Sequence, residues 1–166
     1  MRPTATMYLL LLVIVAAQLG WYLPKLSEPM ASSFGFDGDP GGWSGKSSFL
    51  VAYLVSLAIT TSIFLAMPTL MRRSDGKGIN IPHADYWLAP ERIEETYDII
   101  ATQLRWFGLI TVLFLIWTHH LVIIANLSDP VRMASAPFWA GFVAFMLYAA
   151  WWTLRLMFRF QKRPDA

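Results

Sequence analysis

The sequence predicts an all-α integral membrane protein with four transmembrane helices. The chain has 166 residues, of which 56% are hydrophobic and only 14% are charged, whereas a soluble domain carries about 25% charged residues. It also has eight Trp and eleven Phe, more than a core of this size can hide from water. Lipid is therefore the predicted solvent. The chain has no cysteine, which excludes disulfides, thiolate metal sites and cysteine nucleophiles.

Four apolar runs are each close to the length that a bilayer core requires. The first run continues into Trp21 and Tyr22, a pair typical of a membrane–water boundary. A cleaved secretory signal peptide is the alternative, since Arg2 is basic and the Val-Ala-Ala stretch at 15–17 resembles a cleavage site. The aromatic pair beyond that stretch favours an uncleaved helix. The predicted spans are 7–23, 49–71, 106–127 and 137–158, with connections at 24–48, 72–105 and 128–136 and a tail at 159–166.

Basic residues are divided unequally between the two ends of these spans. Ten lie at one end and three at the other, so the positive-inside rule places the richer end, and with it both termini, in the cytoplasm. The opposite topology would have to carry Arg72 and Arg73 across the membrane. The ten residues are Arg2, Arg72, Arg73, Lys77, Arg92, Arg105, Arg155, Arg159, Lys162 and Arg163, and the three are Lys25, Lys46 and Arg132.

The outer connection, residues 24–48, is punctuated by Gly and Pro, which disfavour a long helix or strand. Asp37-Gly38 and the stretch 39–42 predict two consecutive turns, because Asp accepts backbone hydrogen bonds and Gly permits positive φ. A calcium site is the alternative, but the segment is shorter than the roughly twelve-residue EF-hand loop and lacks its closing Glu. No metal is therefore predicted. The aromatic residues expected to pack back onto the membrane surface or the helix ends are Phe34, Phe36 and Trp43.

The inner connection, residues 72–105, divides into an irregular part and a predicted amphipathic helix at 90–105. Pro90 fits a first helical turn, and the glutamates after it complement the positive end of the helix dipole. Helices that adsorb to anionic lipid are rich in Lys and Arg, whereas this one is rich in carboxylates. We therefore expect it to dock against protein, either its own inner loop or a partner. Ile81 and the stretch 86–88 are expected to anchor the irregular part at the membrane interface.

Each of the two longer connections carries a recognisable motif. The outer motif is Leu23, Pro24, Phe34, Asp37, Gly38, Pro40, Gly42, Trp43 and Lys46, and the inner motif is Asn80, Pro82, Tyr86, Trp87, Leu88, Pro90, Glu91 and Arg92. Together these motifs resemble membrane proteins that contain domain of unknown function 1648. Ser33 and Gly41 depart from the family pattern, which often has His and Asp there. The resemblance covers about residues 8–105 and implies a multi-pass protein of the bacterial inner membrane, a distant relation to immunity and signalling proteins against a sporulation-delay toxin, and no known reaction.

Adjacent histidines, His119 and His120, lie in the third span, roughly 20 Å from its inner end. Ionisable residues at such depth usually face the bundle interior and are candidates for function. The alternatives are a hydrogen-bonded cluster that fixes helix register, a site for a small ligand such as a quinone or for proton relay, and a metal. Adjacent helical residues point about 100° apart and cannot clamp one haem iron. The other polar residues expected in the same layer are Gln18, Tyr53 and Ser56.

The loops carry turn and docking features but no catalytic motif. The predicted function is therefore non-enzymatic: an accessory, sensing or immunity-type protein that contacts a membrane protein partner or a second copy of itself. The alternative is a small redox-associated subunit that places His119 or His120 near a quinone or a partner's haem. A transporter or channel component is a weaker alternative, because no charged residue lies at the predicted bilayer centre. We predict no resident cofactor and no nucleic-acid partner.

Overall fold

The computed structural model describes residues 3–74 and 77–162. Within these residues the chain forms five α-helices, one 3-10 turn and one two-stranded antiparallel sheet. In chain order the elements are α1 (Pro3–Tyr22), the 3-10 turn (Leu23–Lys25), β1 (Met30–Phe34), β2 (Pro40–Ser44), α2 (Lys46–Arg73), α3 (Ala84–Trp87), α4 (Ile93–Ala125) and α5 (Ser135–Gln161).

Four helices in the described part of the chain, α1, α2, α4 and α5, are long and apolar enough to cross a membrane. This finding confirms the predicted multi-pass membrane architecture. The helices extend beyond the predicted spans, since α1 begins at Pro3 and α5 ends at Gln161. Large aliphatic side chains on α1 are mostly exposed, with Leu12 61% and Val13 63% accessible. A continuous surface of this kind suits lipid and would be unfavourable in water.

The helix α4 is the one around which the other three long helices pack. Buried side chains of α1, α2 and α4 form the main apolar core. Gly108 allows this close approach, because a Cβ atom there would lie 2.5 Å from the Cβ of Phe64 on α2 and 2.7 Å from the hydroxyl oxygen of Tyr8 on α1. Small residues commonly bring membrane helices together in this way.

The last helix, α5, packs on α4 mainly through aromatic rings. Phe114 stacks on Phe145 with ring centroids 4.6 Å apart, and Phe107 lies 4.5 Å from the ring of Trp152. The two helices are therefore neighbours, as the short connection predicts. The first turn of α5 contains Pro137, also as predicted. The predicted tail at 159–166 is helical through Gln161, and residues 163–166 lie outside the described part of the chain. Two basic residues of the charge pattern, Arg2 and Arg163, therefore also lie outside it.

The prediction of a separate inner helix at 90–105 is wrong in two respects. The helix begins at Ile93, and Pro90 lies before it in a turn where the backbone N–H of Arg92 donates to the carbonyl of Ala89 (2.9 Å). It is also continuous with the third span, forming the 33-residue α4. The apolar stripe of the inner segment stays in phase with the span, and no proline interrupts it. The predicted break between the inner helix and the third span, near residue 106, therefore does not occur.

The outer connection contains a β-hairpin, which the all-α prediction misses. Strands β1 and β2 pair antiparallel with register shifts, and a turn centred on 36–38 joins them. The predicted turn at 39–42 is wrong, because Pro40 and the two glycines after it belong to β2. Both strands of a two-stranded sheet are edges, where Pro and Gly are tolerated. We call the end of the bundle that carries this hairpin the hairpin end, and the opposite end, with α3, the loop end.

Candidate functional site

A hydrogen-bonded chain joins three helices near the hairpin end. The hydroxyl of Tyr53 on α2 donates to Oε1 of Gln18 on α1 (2.7 Å), and Nε2 of Gln18 lies 3.1 Å from Nδ1 of His120 on α4. The amide nitrogen of Gln18 can only donate, so Nδ1 of His120 accepts and its ring proton sits on Nε2. Three residues that the sequence places at a similar depth in three different spans are therefore bonded to one another. These bonds fix the rotation of α1 and α2 relative to α4.

The neighbouring His119 has a different set of contacts. Its ring stacks on the ring of Tyr53, with centroids 4.1 Å apart and an interplanar angle of 8°. Its Nδ1 lies 2.8 Å from the carbonyl oxygen of Leu115, which can only accept, so Nδ1 carries the proton. The remaining nitrogen, Nε2, therefore holds a lone pair.

Ser56, the fifth residue expected in this layer, is not part of the hydrogen-bonded network of Tyr53, Gln18 and His120. Its hydroxyl donates to the backbone carbonyl of Tyr53 in the preceding turn (2.8 Å). Serine commonly satisfies its hydroxyl in this way inside apolar helices. The candidate polar cluster consists of Gln18, Tyr53, His119 and His120.

The polar cluster can offer a ligand one donor and one acceptor. The two imidazoles diverge: His119 contacts Phe49 and Tyr53 of α2, whereas His120 contacts Gln18 and Tyr22 of α1. They therefore cannot bind one iron from opposite faces. Within residues 3–74 and 77–162, no three His, Asp or Glu side chains converge to hold a metal ion. What the geometry provides is Nε2–H of His120 as a donor and Nε2 of His119 as an acceptor.

The hairpin is held on α4 by Asn126, a residue that the sequence did not single out. Its amide oxygen accepts from the backbone N–H of Ala31 (2.7 Å), and its amide nitrogen donates to the carbonyl oxygen of Ala31 (2.9 Å). The side chain thus pairs with β1 as a neighbouring strand would. Both residues are buried, so these bonds are shielded from water and α4 and the hairpin form one unit.

A second attachment joins the hairpin turn to the connection between α4 and α5. Arg132 donates to the carbonyl oxygen of Asp37 (3.1 Å) and forms an ion pair with Asp39 (3.1 Å). The backbone N–H of Met133 donates to the carbonyl of Gly38 (2.8 Å). Gly38 has a φ of +88°, and a Cβ there would lie 2.1 Å from the carbonyl oxygen of Met133. Only glycine fits this position.

At the loop end, Trp87 is the centre of a second apolar cluster. Its indole nitrogen donates to the carbonyl oxygen of Phe160 at the end of α5 (2.9 Å), and its own carbonyl accepts from the hydroxyl of Thr96 on α4 (2.7 Å). Ile100 completes the buried part of this cluster. The inner helix therefore docks against its own inner loop, one of the two predicted arrangements. The expectation that Trp87 anchors at the membrane interface is wrong, because it is buried within the protein.

Comparison of the chain with protein-family models, with curated proteins and with solved structures finds no match. The resemblance to proteins with domain of unknown function 1648 therefore stays a prediction. So does the relation to toxin immunity that it implies.

The motif residues behind that resemblance occupy structural positions at the two ends of the bundle. In the outer motif, Leu23 and Pro24 form the 3-10 turn, Phe34 lies in β1, Asp37 and Gly38 lie in the turn, Pro40, Gly42 and Trp43 lie in β2, and Lys46 begins α2. In the inner motif, Tyr86 and Trp87 lie in α3, Leu88 follows it, Pro90, Glu91 and Arg92 precede α4, and Asn80 and Pro82 precede α3. Most of the outer set lies in the hairpin, whereas Tyr86 and Trp87 are the members of the inner set that belong to the apolar cluster at the loop end.

Proposed function

We propose that this chain is a multi-pass protein of the bacterial inner membrane that acts without catalysis, by contact between its hairpin end and a partner protein. The hairpin end faces outward, and both termini lie in the cytoplasm. The protein is of the accessory, sensing or immunity type. The partner is another membrane protein or a second copy of this chain.

The distribution of charge supports this orientation. Eight of the ten predicted inner basic residues belong to the described part of the chain, and they lie on the loop end or in the half of α4 and α5 next to it. Lys25, Lys46 and Arg132 lie at the hairpin end. The positive-inside rule then favours a cytoplasmic loop end.

The observation that supports the proposed contact is that two aromatic residues, Phe36 and Trp43, are exposed on a hairpin that is hydrogen-bonded to the helical bundle. Phe36 is 84% exposed although its ring stacks on Trp139 at 5.5 Å, and Trp43 is 54% exposed. Asn126 bonds to β1, which pairs with the strand of Trp43, and Arg132 bonds to the turn that carries Phe36. Large aromatic side chains that are held in position bind a protein partner at low entropic cost and are common at the centre of interfaces.

Site-specific photocrosslinking in intact cells tests this proposal. A photoreactive phenylalanine analogue is placed at Phe36 or at Trp43, and the matched control places it at Trp21, an exposed aromatic position on α1. We expect a discrete protein adduct from the first two positions and only lipid adducts from the third. An adduct of twice the chain mass would identify a second copy as the partner. Lipid adducts alone at all three positions would refute a protein contact.

The polar cluster favours a second candidate function, a redox-associated subunit. Nε2–H of His120 forms no hydrogen bond to any residue that the structure describes, so it is available to a quinone carbonyl or to a partner's haem propionate. An ultraviolet–visible absorption spectrum of the protein purified in mild detergent, together with solvent extraction of any bound quinone, tests this role. A Soret band or a bound quinone that is lost in His120→Phe, and retained in Ser56→Ala, would favour the redox function over the contact function.

A further inference from the structure

A basic recess lies at the loop end between α4 and α5. Its volume is about 430 Å³, and Arg155, Arg159 and Lys162 lie on its α5 side. Their spacing of four and three residues places the three cations on one face. Gln103 and Glu95 of α4 lie on the opposite side.

The three cations outnumber the acidic groups around them. Among the described residues, none of the three forms an ion pair with a carboxylate, although Glu95 lines the same recess. Arg155 instead lies over the ring of Trp151, 5.1 Å from its centroid. An excess of unpaired positive charge in a recess between helices favours an anion, and guanidinium groups match phosphate oxygens in geometry.

An apolar groove lies along the same seam between α4 and α5. Gln103 in the recess and Ile110 in the groove are seven residues apart on α4, and Tyr148 in the groove and Arg155 in the recess are seven apart on α5. Seven residues are about two helical turns, so the groove and the recess follow one face of each helix. The groove has a volume of about 520 Å³. The residues that line it include Leu113, Phe114, Trp117, Gly141, Ala144 and Phe145.

We propose that this seam binds one phospholipid with an anionic headgroup. The phosphate lies in the recess between Arg155, Arg159 and Lys162, and an acyl chain lies in the groove. A free phosphate ion would use the recess and leave the groove unexplained, whereas a phospholipid carries a charged group and an apolar chain in the order in which the seam presents them. The site is separate from the hairpin contact and does not depend on it.

Native mass spectrometry of the full chain in mild detergent tests the proposal, with phosphatidylglycerol as the probe and phosphatidylcholine as the neutral comparison. We expect one phosphatidylglycerol to stay bound at activation energies that remove phosphatidylcholine. The variant Arg155→Gln/Arg159→Gln/Lys162→Gln should bind it roughly 100-fold more weakly, since each basic residue near an anionic headgroup contributes about fivefold. The control Arg73→Gln/Lys77→Gln removes exposed positive charge at the same end, leaves the ion pairs of Arg72 with Glu94 and Asp98 in place, and should bind it as the unmodified chain does.

Two further comparisons separate a bound lipid from a bound ion. Ala144→Trp fills the groove at an exposed position and should weaken retention, whereas Ala150→Trp, exposed but outside the groove lining, should not. Excess inorganic phosphate should leave the lipid bound. Equal retention in both charge variants, equal loss in both, no effect of Ala144→Trp, or displacement of the lipid by inorganic phosphate would each overturn the proposal.

Discussion

The side chain of Asn126 pairs with the edge of β1 in the way that the backbone of a neighbouring strand would. Its amide satisfies both backbone groups of Ala31, which β2 leaves unpaired on that side of the sheet. In the sequence, an Asn at the end of an apolar run looks like a residue that only ends a helix. The bond from Asn126 to the hairpin therefore could not be predicted. Its environment suggests a large effect on the hairpin, because a buried backbone group left without a partner costs about 1–3 kcal/mol.

We predict that Asn126→Leu releases β1 from α4 while the four long helices remain folded. The leucine fills a similar volume but leaves both backbone groups of Ala31 unsatisfied. Hydrogen exchange followed by mass spectrometry should show faster exchange across residues 30–34, with helical exchange nearly unchanged. Asn80→Leu, at an exposed position, serves as the control. Unchanged exchange at residues 30–34 in Asn126→Leu would show that the side chain does not hold the hairpin.

Two glycines in the described part of the chain have a positive φ, and comparison of the two separates the effect of steric contact from that of backbone strain. Gly38 and Gly78 both have a φ of +88°, but a Cβ at Gly78 would meet nothing within 4 Å. Gly78→Ala should therefore cost only the local strain of about 1–2 kcal/mol. Gly38→Ala should in addition push the turn away from Met133.

Tryptic cleavage after Arg132 measures this displacement. Arg132 and Met133 are bonded to the hairpin turn in the native protein, and we expect Gly38→Ala to accelerate cleavage there while Gly78→Ala leaves the rate unchanged. Equal rates in the two variants would mean that the turn does not restrain the connection between α4 and α5.

At Gly108, helix α4 leaves no room for a side chain against α1 and α2. Gly108→Leu places a branched side chain where Phe64 and the hydroxyl of Tyr8 already lie. Overpacking of this kind costs about 1–3 kcal/mol. We expect the midpoint of thermal unfolding, followed by circular dichroism in detergent, to fall.

The control for this variant is Gly20→Leu on α1. A Cβ at Gly20 meets no atom within 4 Å, and leucine forms helices better than glycine. Its unfolding midpoint should be unchanged or higher. A drop of similar size in both variants would show that loss of glycine in general, and not the close approach at Gly108, determines stability.

At the scale of whole elements, the four spans could be predicted because hydropathy averaged over about twenty residues is insensitive to detail. The hairpin could not, because Pro40 and the glycines after it have the composition of a turn, and only pairing with β1 makes them a strand. The sequence predicts too early a start for α4, because Pro90 fits a first helical turn but lies in a separate turn before the helix.

The sequence predicts part of the polar cluster, because the depth of a residue along a span can be counted from the sequence. This count places Gln18, Tyr53 and His120 in one layer, and the structure shows them bonded together. The sequence does not show which acceptor a small hydroxyl side chain will bond to. Ser56 bonds to its own helix, which the sequence does not distinguish from a bond between helices.

For the whole molecule, the proposed function depends on the direction in which the chain crosses the membrane. The hairpin end with its exposed aromatic residues and the loop end with its basic residues must lie on opposite sides. Because the chain has no cysteine, a single introduced thiol reports on one position without background. Phe36 and Lys77 are exposed at opposite ends of the bundle and suit this purpose.

Labelling of Phe36→Cys and Lys77→Cys in intact spheroplasts with a membrane-impermeant maleimide tests this claim most directly. We predict that Phe36→Cys reacts at once and that Lys77→Cys reacts only after the membrane is permeabilised. The reverse pattern would invert the orientation, and immediate reaction at both positions would contradict a membrane between the two ends.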